Sequence, residues 1–367
     1  MFFLRDPDHE SYHPSSLIYA GRRYPNIEVK LRGQTSRDYP KNSYTLKFPN
    51  HDRFEEPEHG GGLTDRKKLV LTTTFDDNTY LRQRLAHEMW GLLDPLHISV
   101  KSYNAVVYRD GEYRGVYTVS DHIDRHLMGN HGLSIDGELF KSRTHAGSFL
   151  NAVHDMEKTE GYPEHGSPGW DDSLQALISF VRDSSAAEYR DGLDDYITVA
   201  DYQNWWVFTT FVAASDSAGK NAYHYRESEQ ATFRVVPWDF NASFGQDWRT
   251  LRDSGQNKYL GRNGIWARMA ADEAVREAML TRAQEALEGP YALAAILSRF
   301  DQYYAEIEAA IEKDWHYYQD AYRSFPRWAE LREDFTTPSE EAAYVRQWII
   351  EHWAFLADHL PQLLSTE

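Results

Sequence analysis

Ser215–Gly245 reads SDSAGKNAYHYRESEQATFRVVPWDFNASFG. Asp216 and Asn221 bracket a short loop that contains Gly219. Asn221 opens an expected strand, Ala222–Arg226. A polar turn, Glu227–Gln230, leads into a second strand, Thr232–Trp238, which ends at Asp239. In an antiparallel hairpin centred near Gln230, Asn221 falls opposite Asp239, and directly opposed residues sit roughly 5 Å apart. An amide oxygen and a carboxylate then meet at the open end of the hairpin, beside Asp216. Oxygen donors of this kind suit Mg²⁺, a hard ion. A neighbouring carboxylate is placed to take a proton from an attacking hydroxyl.

Upstream of this hairpin, residues 1–125 read as strands with one helix. Ile27–Leu31 (IEVKL) and Ser43–Phe48 (SYTLKF) alternate with the period of half-buried strands. Ser102–Tyr108 and Tyr113–Asp121 flank Asp110-Gly111, a hairpin turn signal. Between these pairs, Leu81, Leu85, Met89 and Leu92 share one face of a helix over Thr79–Leu93, with Asp77 or Asn78 available as N-cap. Gly129–Pro168, rich in Gly, His and Ser, reads as a long loop. Asp195–Ala214 holds the run WWVFTTFVAA, expected as a helix buried on most sides. Thr337-Pro338-Ser339-Glu340 is a capping box that opens a terminal amphipathic helix. The expectation is an α+β chain of two lobes: a β-rich N-lobe with one helix over 1–125, and a larger, mainly helical C-lobe over 126–367.

The chain has 367 residues, 41% hydrophobic and 14% aromatic, enough for a large core. Its net charge is −18, which argues against nucleic acid as a partner and against docking on an anionic membrane. There is no Cys, so thiol catalysis and disulfides are excluded. No apolar run is long enough to span a membrane, and MFFLRDPDHE lacks the apolar stretch of a leader, so a cytoplasmic location is expected.

Asp, then Asn after a four-residue gap, then a strand pair closed by a second Asp, is the layout of a protein-kinase catalytic loop and metal site. Taken singly, each residue also has an ordinary reading as an Asx turn or a strand end. Five stretches carry a more specific likeness: Arg32–Phe48 (RGQTSRDYPKNSYTLKF), Asp77–Leu85 (DNTYLRQRL), Asp110–Asp124 (DGEYRGVYTVSDHID), Asp216–Asn221 (DSAGKN) and Pro237–Gly245 (PWDFNASFG). In this order they resemble the CotH-type spore-coat kinase family.

The resemblance implies a protein-kinase-like bilobal fold, ATP with Mg²⁺ or Mn²⁺, and phosphorylation of Ser or Thr in a protein partner. Asp216 resembles the catalytic Asp, and Asn221 and Asp239 resemble metal ligands. Arg32-Gly33-Gln34-Thr35-Ser36 resembles the phosphate-side turn, where small residues let backbone N–H groups approach phosphate. Lys41 or Lys47 is expected to neutralise the phosphates, with Lys41 favoured, and Arg37 to assist. Asp121 stands near the expected hinge, where the family usually has Glu. The family usually also has a second Asp where this chain has Asn241. That loss of charge favours one alternative, a pseudokinase or scaffold that binds without turnover; nucleotidyl transfer to a protein on the same fold is a second. Since the chain is acidic, a basic protein substrate is expected.

Overall fold

The computed structural model of the chain describes residues 2–3, 11–152 and 155–365. Among them, the strands Phe2–Phe3, His13–Tyr19, Arg22–Arg32, Ser43–Lys47, Lys68–Thr73, Ser102–Arg109 and Glu112–Asp121 close into a barrel. Its interior is filled by alternating residues such as Ile27, Val29, Tyr44, Leu46, Leu69 and Tyr117. The Asp110-Gly111 turn forms as expected: both residues have positive φ (53° and 85°), the backbone of a type I′ hairpin. The sheet is larger than the sequence reading expects. His13–Tyr19 and Lys68–Thr73 add to its strands, and Phe54–Glu56 with Leu63–Arg66 forms a separate small ribbon.

The helix of this region spans Arg82–Leu93, and neither Asp77 nor Asn78 is its N-cap. Asp77 does a related job from further out. It accepts the Arg82 backbone N–H at 2.9 Å and pairs with the buried Arg82 guanidinium at 2.7 Å. Arg82 also meets Glu341 at 2.8 Å and donates to the Ser243 carbonyl at 3.0 Å. One buried cation therefore ties the start of this helix to the loop after Asp239 and to the last helix.

Gly129–Pro168 is not a long loop. It contains the strands Glu138–Lys141 and Glu157–Glu160, which join Ala222–Arg226 and Phe233–Pro237 in a second, four-stranded sheet. Glu157–Glu160 (EKTE) alternates no apolar residues, because it lies at the sheet edge and its pairing is by backbone.

The remainder is helical. Val199–Val212 is buried from Asp201 through Val212. Trp205, Trp206, Phe208 and Phe211 are fully covered, worth about 1.5–3 kcal/mol each. Three of its buried polar side chains find partners on other elements: Asp201 with Arg234 at 2.8 Å, Asn204 with His97 at 3.1 Å, and Gln203 with Arg282 at 2.7 Å. The terminal helix, Pro338–Leu363, starts with the expected capping box at Thr337. A 31-residue helix, Leu293–Arg323, packs on it and also reaches the barrel strand Glu112–Asp121. Among the described residues no helix is long and apolar enough to cross a membrane.

Candidate active site

The buried Val199–Val212 helix ends in a left-handed residue, Ala213, and the chain then turns through a short helical turn, Ser215–Ser217. This presents Asp216 at the mouth of the hairpin. The hairpin register is one residue off the expectation. Ala222 pairs with Pro237, and the Trp238 N–H donates to the Asn221 carbonyl, so Asn221 faces Trp238 rather than Asp239. The turn is centred slightly before Gln230, and in a strand a shift of one residue changes the face a side chain occupies. The chain recovers by leaving the ladder. Asn221 and Asp239 both adopt positive φ (57° and 69°), which ends the pairing and re-aims both side chains.

Asp216 is held by three neighbours. Lys220 Nζ lies 2.8 Å and His145 Nε2 3.3 Å from its oxygens, and Asn221 Nδ2 donates to it at 3.1 Å. That contact fixes the Asn221 amide with its oxygen directed elsewhere. Asp239 is anchored from the Arg82–Leu93 helix. Gln83 Nε2 donates to Asp239 Oδ1 at 3.4 Å, while Gln83 Oε1 accepts the Phe240 N–H at 3.0 Å. Burial pushes the Asp239 carboxyl up, and Asp216 adds to this. Lys220, Arg32 and Lys141 pull it back. Asp216, Asp239 and Arg32 thus share one electrostatic neighbourhood, with Asn221 bonded into it.

Arg32 and Lys141 lie within electrostatic reach of Asp239, and Lys30 lies within reach of both cations. Arg32 lies over the Trp238 ring (5.1 Å), Lys141 over Tyr223 (5.7 Å) and Lys30 over Tyr12 (4.8 Å). None of the three makes an ion pair among the described residues, although the chain carries an excess of acids. Burial pushes the Lys30 ammonium down, Lys68, Arg32 and Lys141 push it further, and Glu157 opposes them. Lys68 is shared with Asp124 at 2.9 Å.

The other residues singled out in the sequence are placed differently. Gly33 takes a φ of 104°, and Ser36 and Arg37 lie in the turn Thr35–Asp38, where Arg37 Nε donates to the Gln34 carbonyl. Lys41 is fully buried, 2.6 Å from Asp314 of the 31-residue helix and 2.9 Å from Thr74 Oγ1. Lys47 pairs with Glu28 at 2.8 Å on the outer side of the strand. Asp121 is sealed against Arg66 and the Lys101 N–H, and burial pushes its carboxyl up.

Sequence reasoning missed Lys30, Lys141, Lys220, Gln83 and Asp76. Only Lys220 had a local signal, its spacing of four from Asp216. Asp76 is buried, accepts from Tyr39 Oη at 3.0 Å and Asn241 Nδ2 at 2.7 Å, and is raised to about 6, by burial first and Asp239 second.

A divalent cation fits the donors at the hairpin mouth in one respect and is limited in another. Asn221 and Asp239 offer an amide and a carboxylate oxygen. Yet among the described residues no three His, Asp or Glu side chains gather into a metal-holding group. Two protein ligands completed by phosphate oxygens is the usual arrangement for Mg²⁺ bound with a nucleotide.

Comparison with known proteins bears on the resemblance carried by the five sequence stretches. The chain is 24% identical over 276 residues to the inner spore coat protein H of Bacillus subtilis (strain 168), covering 73% of each chain. The family model described as CotH kinase protein matches residues 29–356, from the strand that carries Lys30 to the last helix, so the chain belongs to the CotH kinase protein family.

Proposed function

We propose that the protein is an ATP-dependent kinase that phosphorylates Ser or Thr of a protein partner, on a kinase-like bilobal fold with a nucleotide-phosphate lobe over 1–125 and a catalytic lobe over 126–367. One observation carries the proposal: Arg32 and Lys141, which make no ion pair among the described residues, lie within electrostatic reach of Asp239, with Lys30 in reach of both. Unpaired cations in reach of acids match a ligand that is anionic on one side and metal-bearing on the other, as a nucleotide polyphosphate with Mg²⁺ or Mn²⁺ is.

In this reading Arg32, Lys30 and Lys141, with the N–H groups of the Gly33–Arg37 turn, hold the phosphates. Lys41 serves as a buried tie behind them. Asn221 and Asp239 would hold the divalent cation, which would supply neutralisation of the phosphate charge. Asp216 accepts the proton of the substrate hydroxyl as its oxygen bonds to the γ-phosphorus. The bond from that phosphorus to the β-phosphate bridging oxygen breaks, and ADP leaves. Lys220 and the Asn221 amide keep the Asp216 carboxylate oriented for this. The relative named for the spore coat favours that location over the cytoplasm expected from the sequence.

The test uses labelled ATP, Mn²⁺ or Mg²⁺ and Ser-rich basic peptides. Asp216→Ala should lower transfer by about 10²–10⁴-fold, the usual contribution of a positioned proton acceptor. Unchanged transfer would remove Asp216 from this role. Intact mass of the product distinguishes phosphate from a whole nucleotide.

A further inference from the structure

Asp76 lies on the connection between the Lys68–Thr73 strand and the Arg82–Leu93 helix and is 5% exposed. Its donors are all neutral. Tyr39 Oη and Asn241 Nδ2 both donate to Oδ2, and Arg327 Nη1 in turn donates to Tyr39 Oη at 2.8 Å. Among the described residues Asp76 makes no ion pair, and Oδ1 accepts no hydrogen bond. The two segments are also clamped by their backbones. Gln246 Nε2 donates to the carbonyls of Asp76 and Asn241, each at 2.8 Å. One amide therefore fixes the Asp76 and Asn241 carbonyls next to each other, and Asn241 is two residues beyond Asp239.

The charge that acts most strongly on Asp76 is Asp239. A buried and a half-buried carboxylate near one another repel, and neutral donors orient a carboxylate without cancelling its charge. A buried charge is ordinarily paired with a cation or set on a metal. Lys41, an ammonium within electrostatic reach of Asp76, is already committed to Asp314. The effort spent on holding Asp76 in place, through Tyr39, Asn241, Gln246 and Arg327, therefore has no directly paired cation in the described protein to explain it.

We infer that Asp76 is a positioning carboxylate of the divalent-cation site: it adds negative charge beside Asp239 and fixes Asn241 and the turn that carries Asp239. The inference rests on the proposed nucleotide-metal reading and adds to it a residue from a different segment of the chain. Because an asparagine side chain keeps an acceptor oxygen for Tyr39 and Asn241, Asp76→Asn removes the charge and leaves the contacts.

The test is binding of Mn²⁺, alone and with a non-hydrolysable ATP analogue, followed by the electron paramagnetic resonance signal of free Mn²⁺. Unfolding curves on the same samples establish that each variant is folded. Asp76→Asn should weaken Mn²⁺ binding by about 10–100-fold, the range for residues that support a metal ligand. It should leave the folded state intact, or slightly more stable for loss of the repulsion. The exchange variant, Asp76→Asn with Asn241→Asp, moves the carboxylate across the same 2.7 Å contact and should recover most of the affinity. A folded Asp76→Asn protein with wild-type Mn²⁺ affinity would overturn the inference. So would an exchange variant no better than the single one. A wild-type protein that binds no Mn²⁺ even with nucleotide would overturn the underlying reading as well, an outcome distinct from the other two.

Discussion

Asp314 Oδ2 stands 2.6 Å from the ammonium of Lys41, across 273 residues of chain. Both side chains are sealed, 2% and 1% exposed. The Val116 N–H also donates to Asp314, and the rings of Tyr80, Tyr117 and Tyr318 surround the ammonium at 5.1–5.4 Å. Gly115 makes room for this pair, since a Cβ there would stand 2.0 Å from Asp314 Oδ2.

Breaking the pair from either side should be costly. Lys41→Met or Asp314→Asn leaves one buried charge uncompensated, a loss of about 3–5 kcal/mol by urea unfolding. Replacing both, with Met and Leu, should recover part of that stability, since the Val116 N–H then lacks its acceptor. The double variant also separates packing from phosphate contact. It is expected to keep ATP-analogue affinity. Recovered stability with lost affinity would instead return Lys41 to the phosphate role that its position after the Gly33–Arg37 turn suggests.

Gly33→Ala should act on the nucleotide and little on the fold. The residue is exposed, with a φ of 104°, and a Cβ would meet Ser36 Oγ at 2.0 Å. The turn must shift at a strain of about 1–3 kcal/mol. A reduced thermal shift with ATP analogue, at an apo melting temperature near wild type, is the expected result.

The cation group should trade stability against binding. Lys30→Ala relieves the partial burial of an ammonium and its repulsion from Lys68, Arg32 and Lys141, so the apo protein is expected to gain stability while nucleotide affinity falls. Titration of ATP analogue against the variant, at several salt concentrations, checks both halves.

Acid unfolding should depend on Glu341. Burial raises its carboxyl, but Arg82, Arg252 and the Thr336 hydroxyl outweigh it and hold the group at about 2, against an ordinary 4.5. A depressed carboxyl contributes its stability in full above about pH 4.5 and loses it as pH falls towards 2. The contribution is about 3 kcal/mol. Glu341→Gln should be less stable at neutral pH and should flatten the stability profile between these limits.

What the sequence disclosed followed from local chemistry. The Thr337 capping box, the Asp110-Gly111 turn and the apolar run before Asp216 each act within a few residues, and each is found where expected. The hairpin was legible but its register was not, because a polar turn does not reveal its centre, and one residue decides which face Asn221 takes. The supporting cast of the site was not legible. Asp76 meets Asn241 across 165 residues, and Gln83 meets Asp239 across 156, on neighbours set by the fold as a whole. Lys30 looked like any outward lysine on a strand until the second sheet brought Lys141 beside it.

The helix that delivers Asp216 is covered on nearly every side, and part of its wrapping arrives late: His352, on the Pro338–Leu363 helix, bonds to the Thr210 carbonyl. A nascent chain whose residues near 352 are still inside the ribosome lacks that cover. The segment before that turn therefore gains this part of its cover only once those residues have emerged and docked, well over a hundred positions after its own synthesis.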